Sequence, residues 1–338
     1  MIQEICVAMA EDAPLPQGGL GLAFDDLISG SATPAQAGAF LYALRNRTLT
    51  GEDLATCASV LLSHARTITI PGSDRAVDTC GTGGDHSMTF NISTAAAFVA
   101  AGAGVPVIKH GNRAQTSRSG SADLLTALGV CIDASEERVI RSFQEANIAF
   151  LSAPTYHPAL KTLAGVRSEL GFRTILNISG PLCNPAGPIN RIIGVADPAL
   201  LGPMAEALQR LGVKKALVVS GDQLDELSLT GENRICELSS GQIDYYTLTA
   251  ADLGLAEAPR ELLVAESPEE SAAIISRVLQ GGDDGPARDI VLLNAAGAIL
   301  AGGGSAGFSS ALKMAEDAID SGRALESLRL LAEITGGI

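Results

Sequence analysis

The sequence predicts an α/β protein, with a small all-helical domain ahead of a larger α/β domain built on a central, mostly parallel sheet. Three observations lead there. No strand-like run occurs before Pro71-Gly72, and the apolar residues up to that point recur at helical spacing. From residue 75 onward short apolar runs alternate with helical segments, the order that a parallel sheet with crossover helices requires. Tryptophan is absent and aromatics make up 4% of the chain, so Ala, Gly, Leu and Val must supply the packing of closely approaching helices.

In chain order, Leu20, Phe24, Leu27 and Ile28 share one face of a first helix. Thr33-Pro34 starts another, with Thr as N-cap, Pro at the first position, and Phe40, Leu41 and Leu44 as its apolar stripe. Thr50 begins a third, with Glu52 and Asp53 near its positive end. Residues 1–72 therefore form the small helical domain and 73–338 the large one. Val77 and Asp78 close a short apolar rise, and Gly81, Gly83 and Gly84 open a turn. Ser93 and Thr94 stand as cap candidates before the helical run Ala95 to Ala101. Val105 to Ile108 reads as a buried strand that delivers Lys109, His110, Asn112 and Arg113 past its end. Ser121 caps a helix to about Leu128, and Ser135 caps the next to about Ala146. Ile148 to Ser152 is a strand, and His157 to Leu170 a helix carrying Arg167. The stretch RTILNISGPLCNPAGP ends in a polar loop broken by prolines. Ile192 to Ala196 and Ala216 to Ser220 are strands, with a helix from Pro198 to Leu211 between them. Asp225 and Glu226 follow in a loop. Ile235 to Leu248, turning at Ser240-Gly241, reads as an antiparallel hairpin. Helices fill most of the rest, with a loop at Gly281 to Gly285.

The bulk numbers narrow the function. With 338 residues and a formal net charge of −15, bulk attraction to nucleic acid or to an anionic membrane is not expected. The cysteines at 6, 57, 80, 131, 183 and 236 include no close pair, so neither a redox pair nor a zinc knuckle is present. Free thiols fit a reducing compartment. The start has an acidic head and no long apolar core, unlike a secretory signal. A cytoplasmic protein is expected.

The polar constellations carry the chemistry. Gly81 to Gly84, followed by Asp85, can turn backbone N–H groups inward as an anion nest, although a purely structural turn is the commoner use of such a loop. It is not a P-loop, because no GK[ST] closes it. Asn91, Ser93 and Thr94 sit at a helix start, another anion site. Lys109-His110-Gly111-Asn112-Arg113 follows a buried run; a solvated turn competes evenly with a phosphate site. His110 reads first as a satisfied structural histidine. Asp225-Glu226 invites a hard cation shared with substrate phosphates, against the bland reading of an exposed acidic loop. Arg167 is a surface helix residue by default, yet its planar fork suits a carboxylate.

Taken together, GTGGD, TFNIST, KHGNRA, SGSADLL, YHPAL with VR, NISGPLCNPAG, LDELS, RDIVLLNAA and AIDSGRAL resemble the anthranilate phosphoribosyltransferase family of tryptophan biosynthesis over nearly the whole chain, least in the first seventy residues. The resemblance implies an active site at the hinge of the two domains, a piece of about 158–190 returning to the small domain, and commonly a homodimer. It implies transfer of the phosphoribosyl group of phosphoribosyl pyrophosphate to the amine of anthranilate. Gly81, Gly84, Asp85 and Thr89 would line the phosphoribosyl pyrophosphate site. Asn91, Ser93, Thr94 and Lys109 would meet its phosphates, and Ser117 and Ser121 would close over them. Asn112 and Arg167 would orient anthranilate beside Gly81, with His110 and Pro181 flanking its tunnel. Ser93, Asp225 and Glu226 would hold magnesium, two ions per monomer. No residue is expected as an essential acid or base. Association with anthranilate synthase is open. The chain departs from the family at Gln115-Thr116 and at His86-Ser87-Met88, neither of which removes a charged or metal-binding residue. A pyrimidine nucleoside phosphorylase shares the architecture, but carries a Ser- and Gly-rich segment where HGNR stands here. A non-enzymatic nucleic-acid-binding relative would show basic patches and lack the twin acids.

Overall fold

The computed structural model describes residues 1–113 and 119–337. The chain opens with four helices: α1 (Ile2–Ala10), α2 (Gly19–Ile28), α3 (Pro34–Arg45) and α4 (Gly51–Ser63). Two of them start as their sequences require. Thr33 Oγ1 accepts the Gln36 N–H while Gln36 returns the bond to the Thr33 N–H, and Thr50 and Asp53 repeat the pattern at α4. The rings of Phe24 and Phe40 meet edge to face at 5.2 Å in the helical core.

The remainder alternates: β1 (Val77–Gly81), α5 (Ile92–Gly102), β2 (Val107–Gly111), α6 (Ser121–Ala127), α7 (Glu136–Ala146), β3 (Ile148–Ser152) and α8 (Ala153–Tyr156). There follow α9 (Ala164–Leu170), α10 (Ile175–Ile178), β4 (Asn190–Gly194), α11 (Leu201–Arg210), β5 (Lys215–Ser220), β6 (Asn233–Ser239) and β7 (Gln242–Leu248). Four helices complete the chain: α12 (Pro268–Leu279), α13 (Pro286–Ala301), α14 (Phe308–Asp320) and α15 (Arg323–Thr335). The seven strands form one sheet in the order β3-β2-β1-β4-β5-β6-β7. β1 to β5 pair in parallel, and β6 and β7 run antiparallel as the expected hairpin. The central helices α5 and α13 are buried on nearly every side, which is why their sequences are Ala-rich without a polar face.

The topology places the site. From β1 the chain winds out through β2 to β3, then crosses back to lay β4 on the other side of β1. Such a switch point opens a crevice beyond the carboxyl ends of the strands, here those of β1 and β4. One apolar cluster joins Phe24, Phe40 and Leu54 of the helical part to Leu163, Ile175, Leu176 and Leu182. The same cluster runs on through Met204 of α11 to Val218 of the sheet, so the helices, the segment near 158–190 and one face of the sheet share a core.

Several local expectations are corrected. β2 begins at Val107, two residues later than expected, and contains Lys109 and His110 instead of ending before them. β4 likewise starts at Asn190 and ends at Gly194. The helix starting near Asn91 takes neither Ser93 nor Thr94 as its cap. Asn91 holds that place, without a capping side-chain bond. Gly120 stands at the cap of α6, so Ser121 is its first residue. The expected helix 157–170 is split into a 3₁₀ stretch, Pro158–Leu163, and α9.

Candidate active site

The crevice beyond β1 and β4 is a cleft of about 310 Å³, within the range of small-molecule sites. Gly81, Asn91, Ser93, Thr94, Lys109, His110, Asn112, Ser121, Arg167, Pro181, Asp225 and Glu226 all line it. The chain brings most of its candidate residues to one mouth. Gly84, Asp85 and Thr89 lie on the outer limb of the glycine loop and are not part of that lining. Thr89 pairs by an isolated bridge with Val264. Ser117, with Gln115 and Thr116, lies outside the described residues.

The twin acids tie the other segments together. The Gly83 N–H donates to Asp225 Oδ2 at 2.6 Å, and the Ser93 N–H donates to Glu226 Oε1 at 3.1 Å. One carboxylate thus accepts from the glycine loop and its neighbour from the first turn of α5, a favourable place for negative charge. This pairing explains the missing local cap: a carboxylate from a distant loop meets the helix start. Glycine is needed at Gly81 and Gly194, because a Cβ at either would overlap Asp225, which lies directly over the strand ends. Asn294 fixes the acid loop from beneath, accepting from the Leu227 N–H and donating to the Leu227 carbonyl, each at 2.9 Å.

Electrostatics make the pair reactive toward cations. Burial first, then the nearby Asp85 charge, pushes the Asp225 carboxyl upward. Burial and the adjacent Asp225 charge do the same to Glu226, while Lys109 opposes the rise. Lys109 is 3% exposed; its Nζ donates to the Thr79 carbonyl and lies 3.2 Å from Thr79 Oγ1 and 3.4 Å from Ser93 Oγ. Among the described residues no three His, Cys, Asp or Glu side chains form a ready metal cage. Two crowded, destabilised carboxylates and a hydroxyl nevertheless suit a hard cation that takes its remaining oxygens from a ligand.

Asn91 is occupied within the protein. Its Oδ1 accepts from Ser119 Oγ and Ser271 Oγ, each at 2.9 Å, and its Nδ2 donates to the Ser119 carbonyl. Ser271 and Asn294 were not among the sequence candidates: Ser271 lies in none of the motifs above, and Asn294 in RDIVLLNAA is a single polar residue within an apolar helical run. His110 corrects the expectation of a satisfied structural histidine. Its Nε2 is buried without a hydrogen-bond partner among the described residues, and its ring sits 5.1 Å from that of His157. Beneath it, Asp78 accepts from the His110 N–H, from Asn184 Nδ2 at 2.9 Å and from Arg191 Nη1 at 3.0 Å, a buried ion pair between β1 and β4. The lining also includes the apolar side chains of Leu61, Leu160, Leu176 and Pro181, along with Arg167.

Burial, then the charges of His157, Arg191 and Lys109, holds His110 well below the ordinary histidine range, and burial also lowers His157. The unfolded chain binds protons on these imidazoles near pH 6.5 while the folded chain does not. Their contribution to stability is therefore complete above that pH and is lost as pH falls below it. Asp225 and Glu226, raised by burial, act with the opposite sign. The comparison of wild type with His110→Gln isolates the imidazole: in urea unfolding at pH 7.5 and 5.5, the variant should lose less stability on acidification. An identical loss in both proteins would contradict a buried neutral His110.

Comparisons with known proteins agree along the whole chain. Residues 9–65 match the helical bundle domain of the glycosyl transferase family, and residues 73–325 match that family's α/β domain. The anthranilate phosphoribosyltransferase of Methanocorpusculum labreanum is 46% identical, covering 100% of this chain and 99% of its own. That of Herpetosiphon aurantiacus is 43% identical, covering 99% of each. The crystal structure of the Thermus thermophilus enzyme superposes with a TM-score of 0.92 at 40% identity, over 98% of this chain and 99% of that one. The Saccharomyces cerevisiae enzyme in complex with phosphoribosyl pyrophosphate and magnesium gives 0.89 at 28% identity, over 100% and 98%. With the same helical bundle, the same α/β domain and close relatives matched end to end, the chain belongs to the anthranilate phosphoribosyltransferase family of tryptophan biosynthesis.

Proposed function

We propose that the cleft grips phosphoribosyl pyrophosphate between the glycine loop, the start of α5 and the twin acids, and presents anthranilate from the side of Asn112 and Arg167. The observation that carries this reading is the meeting of Gly83 with Asp225 and of Ser93 with Glu226 beside Lys109. In the reaction the anthranilate amine bonds to C1 of the ribose as the bond from C1 to the pyrophosphate oxygen breaks. Pyrophosphate departs with the bonding pair, and the amine releases a proton to solvent.

Lys109, Ser93, Thr94 and the N–H groups of the glycine loop meet the phosphates, with Gly81 in that wall and Gly84, Asp85 and Thr89 supporting the loop from outside the lining. Asn91 holds this edge of the cleft through Ser119, and Ser121 covers it. Such preplaced donors stabilise charge growing on the leaving group. Magnesium, two ions per monomer on Asp225, Glu226 and Ser93, would neutralise pyrophosphate when bound. Arg167 takes the anthranilate carboxylate and Asn112 the neighbouring amine. His110 and Pro181 narrow the approach beside Gly81, so that proximity does the work a base would otherwise do. No side chain is required as an acid or base; burial leaves His110 a poor one.

The reading extends to the whole chain. Residues 1–72, joined by about 158–190, act as the small domain against 73–338, with the cleft at their hinge; the packing of Leu163, Ile175, Leu176 and Leu182 in one cluster with Phe24, Phe40 and Leu54 supports the return of that segment. The protein works in the cytoplasm, on small-molecule substrates. Its six cysteines are free, and no helix among the described residues is long and apolar enough to cross a membrane. It acts as a homodimer; exposed Val7, Leu22 and Tyr42 on α1 to α3 offer apolar surface for a second copy. The test mixes protein, magnesium and phosphoribosyl pyrophosphate with anthranilate and follows the aromatic amine's fluorescence. Loss that requires both substrates is expected. Anthranilate left intact under these conditions would overturn the reading.

A further inference from the structure

Arg173 lies in the connector between α9 and α10 and is a half-buried cation that the reaction described above does not use. The Thr82 N–H extends the sheet by donating to the Gly194 carbonyl at 2.9 Å. The chain then turns through Gly83 and Gly84, both with positive φ, at 67° and 77°. Arg173 reaches this turn from a segment 91 positions away in the chain. Its Nη2 donates to the Thr82 carbonyl at 2.6 Å. A Cβ at Gly84 would stand 2.5–2.6 Å from Nε, Cδ and Cζ of Arg173, so the side chain lies directly against the loop's backbone. Around Gly83 the corresponding space is open. Glycine at 84 thus answers two demands, a left-handed backbone and room for the guanidinium.

The near end of Arg173 is anchored as well. The Phe172 ring meets Tyr42 of α3 edge to face at 6.1 Å. Thr174 starts α10, where the Thr174 N–H donates to Asn177 Oδ1 at 3.0 Å. Six residues earlier in the same segment, Arg167 faces the cleft from α9. The carboxylates of Asp225 and Asp85 both attract the Arg173 cation, and Arg45 repels it.

We infer that Arg173 is a positioning residue: it clamps the glycine turn to the segment that carries Arg167, and so holds the phosphoribosyl side of the cleft in its working shape. The inference rests on the reading of the cleft given above. The clamp fixes the turn so that the Gly83 N–H faces Asp225, and it sets a positive charge beside the acid cluster. A guanidinium suits the task because its fork donates in plane while its flat body lies on a backbone.

Two measurements test it. In substrate-free protein, amide hydrogen exchange of peptides covering 81–89 should be on the order of 10-fold faster in Arg173→Gln than in wild type, with exchange elsewhere unchanged. Unchanged exchange in this stretch, or acceleration spread over the whole chain, would overturn the clamp. In steady state, the KM for phosphoribosyl pyrophosphate should rise roughly 10- to 100-fold, the loss of one charge-assisted hydrogen bond, while the KM for anthranilate moves about twofold or less. Gly84→Ala, which drives the guanidinium off the loop, should reproduce the defect, and the double variant should be no worse than the worse single. Fully additive losses, or equal rises in both KM values, would overturn it. The exchange result needs no turnover. A wild-type chain that left anthranilate unchanged would refute the functional reading, and the clamp would still stand or fall on exchange alone.

Discussion

Changing Asp225 to Asn together with Glu226 to Gln is expected to cut turnover on the order of 10²- to 10³-fold, the scale of losing a preplaced electrostatic stabiliser. The magnesium concentration for half-maximal rate should rise with it. The argument rests on what the substitution keeps. The amide oxygens can still accept from the Gly83 and Ser93 N–H groups, and Asn294 still fixes the loop through Leu227. Both carboxyls are driven upward by burial and crowding, so the folded chain bears a cost for their charge. Neutral isosteres relieve that cost, and stability in urea should hold or improve. Lost turnover in a fully stable protein then assigns the acids to pyrophosphate and its counter-ion. Wild-type rates with a wild-type magnesium response would remove the pair from the mechanism, and a large loss of stability would make it a structural pair.

What the sequence made legible was chemistry that needs a particular residue type. A run such as Gly81 to Gly84 is more often a structural turn, and Asp225-Glu226 alone reads as well as an exposed acidic loop, so it is their occurrence together in one chain that points to a single cleft. Those segments were readable, and the structure brings them together. Boundaries that depend on distant partners were not. Lys109 and His110 look like loop residues because they are polar, yet they lie inside β2, 3% and 5% exposed, with Thr79 and Asp78 of the neighbouring strand as partners. Periodicity cannot separate a buried polar strand residue from a solvated one. The same limit moved the start of α5. Ser93 and Thr94 are good caps by composition, but Glu226, more than a hundred positions away, accepts the orphan N–H instead. Arg173 escaped notice for a related reason. A lone arginine in GFRTIL carries no spacing signal, and its meaning lies in its contacts with the distant Thr82 and Gly84.

Arg167→Ala should raise the KM for anthranilate on the order of 10- to 100-fold while leaving that for phosphoribosyl pyrophosphate within about twofold. The asymmetry follows from the wall on which Arg167 stands. Leu61, Leu160, Leu176 and Pro181 surround the cleft there, and burial lowers the proton affinity of its guanidinium. A charge in such surroundings binds an opposite charge more strongly than one in water would. A small aromatic carboxylate satisfies both features of the wall, its ring against the leucines and its anion on the fork. Phosphates gain nothing from the apolar surface, and the donors proposed for them, Lys109 and the first turn of α5, belong to other segments of the lining. Lysine at 167 should recover only part of the loss, because a point charge cannot offer two parallel N–H bonds to one carboxylate. Initial rates with each substrate varied in turn would read the split directly. Equal losses for both substrates would place Arg167 in the general architecture of the cleft and strip anthranilate recognition from that wall.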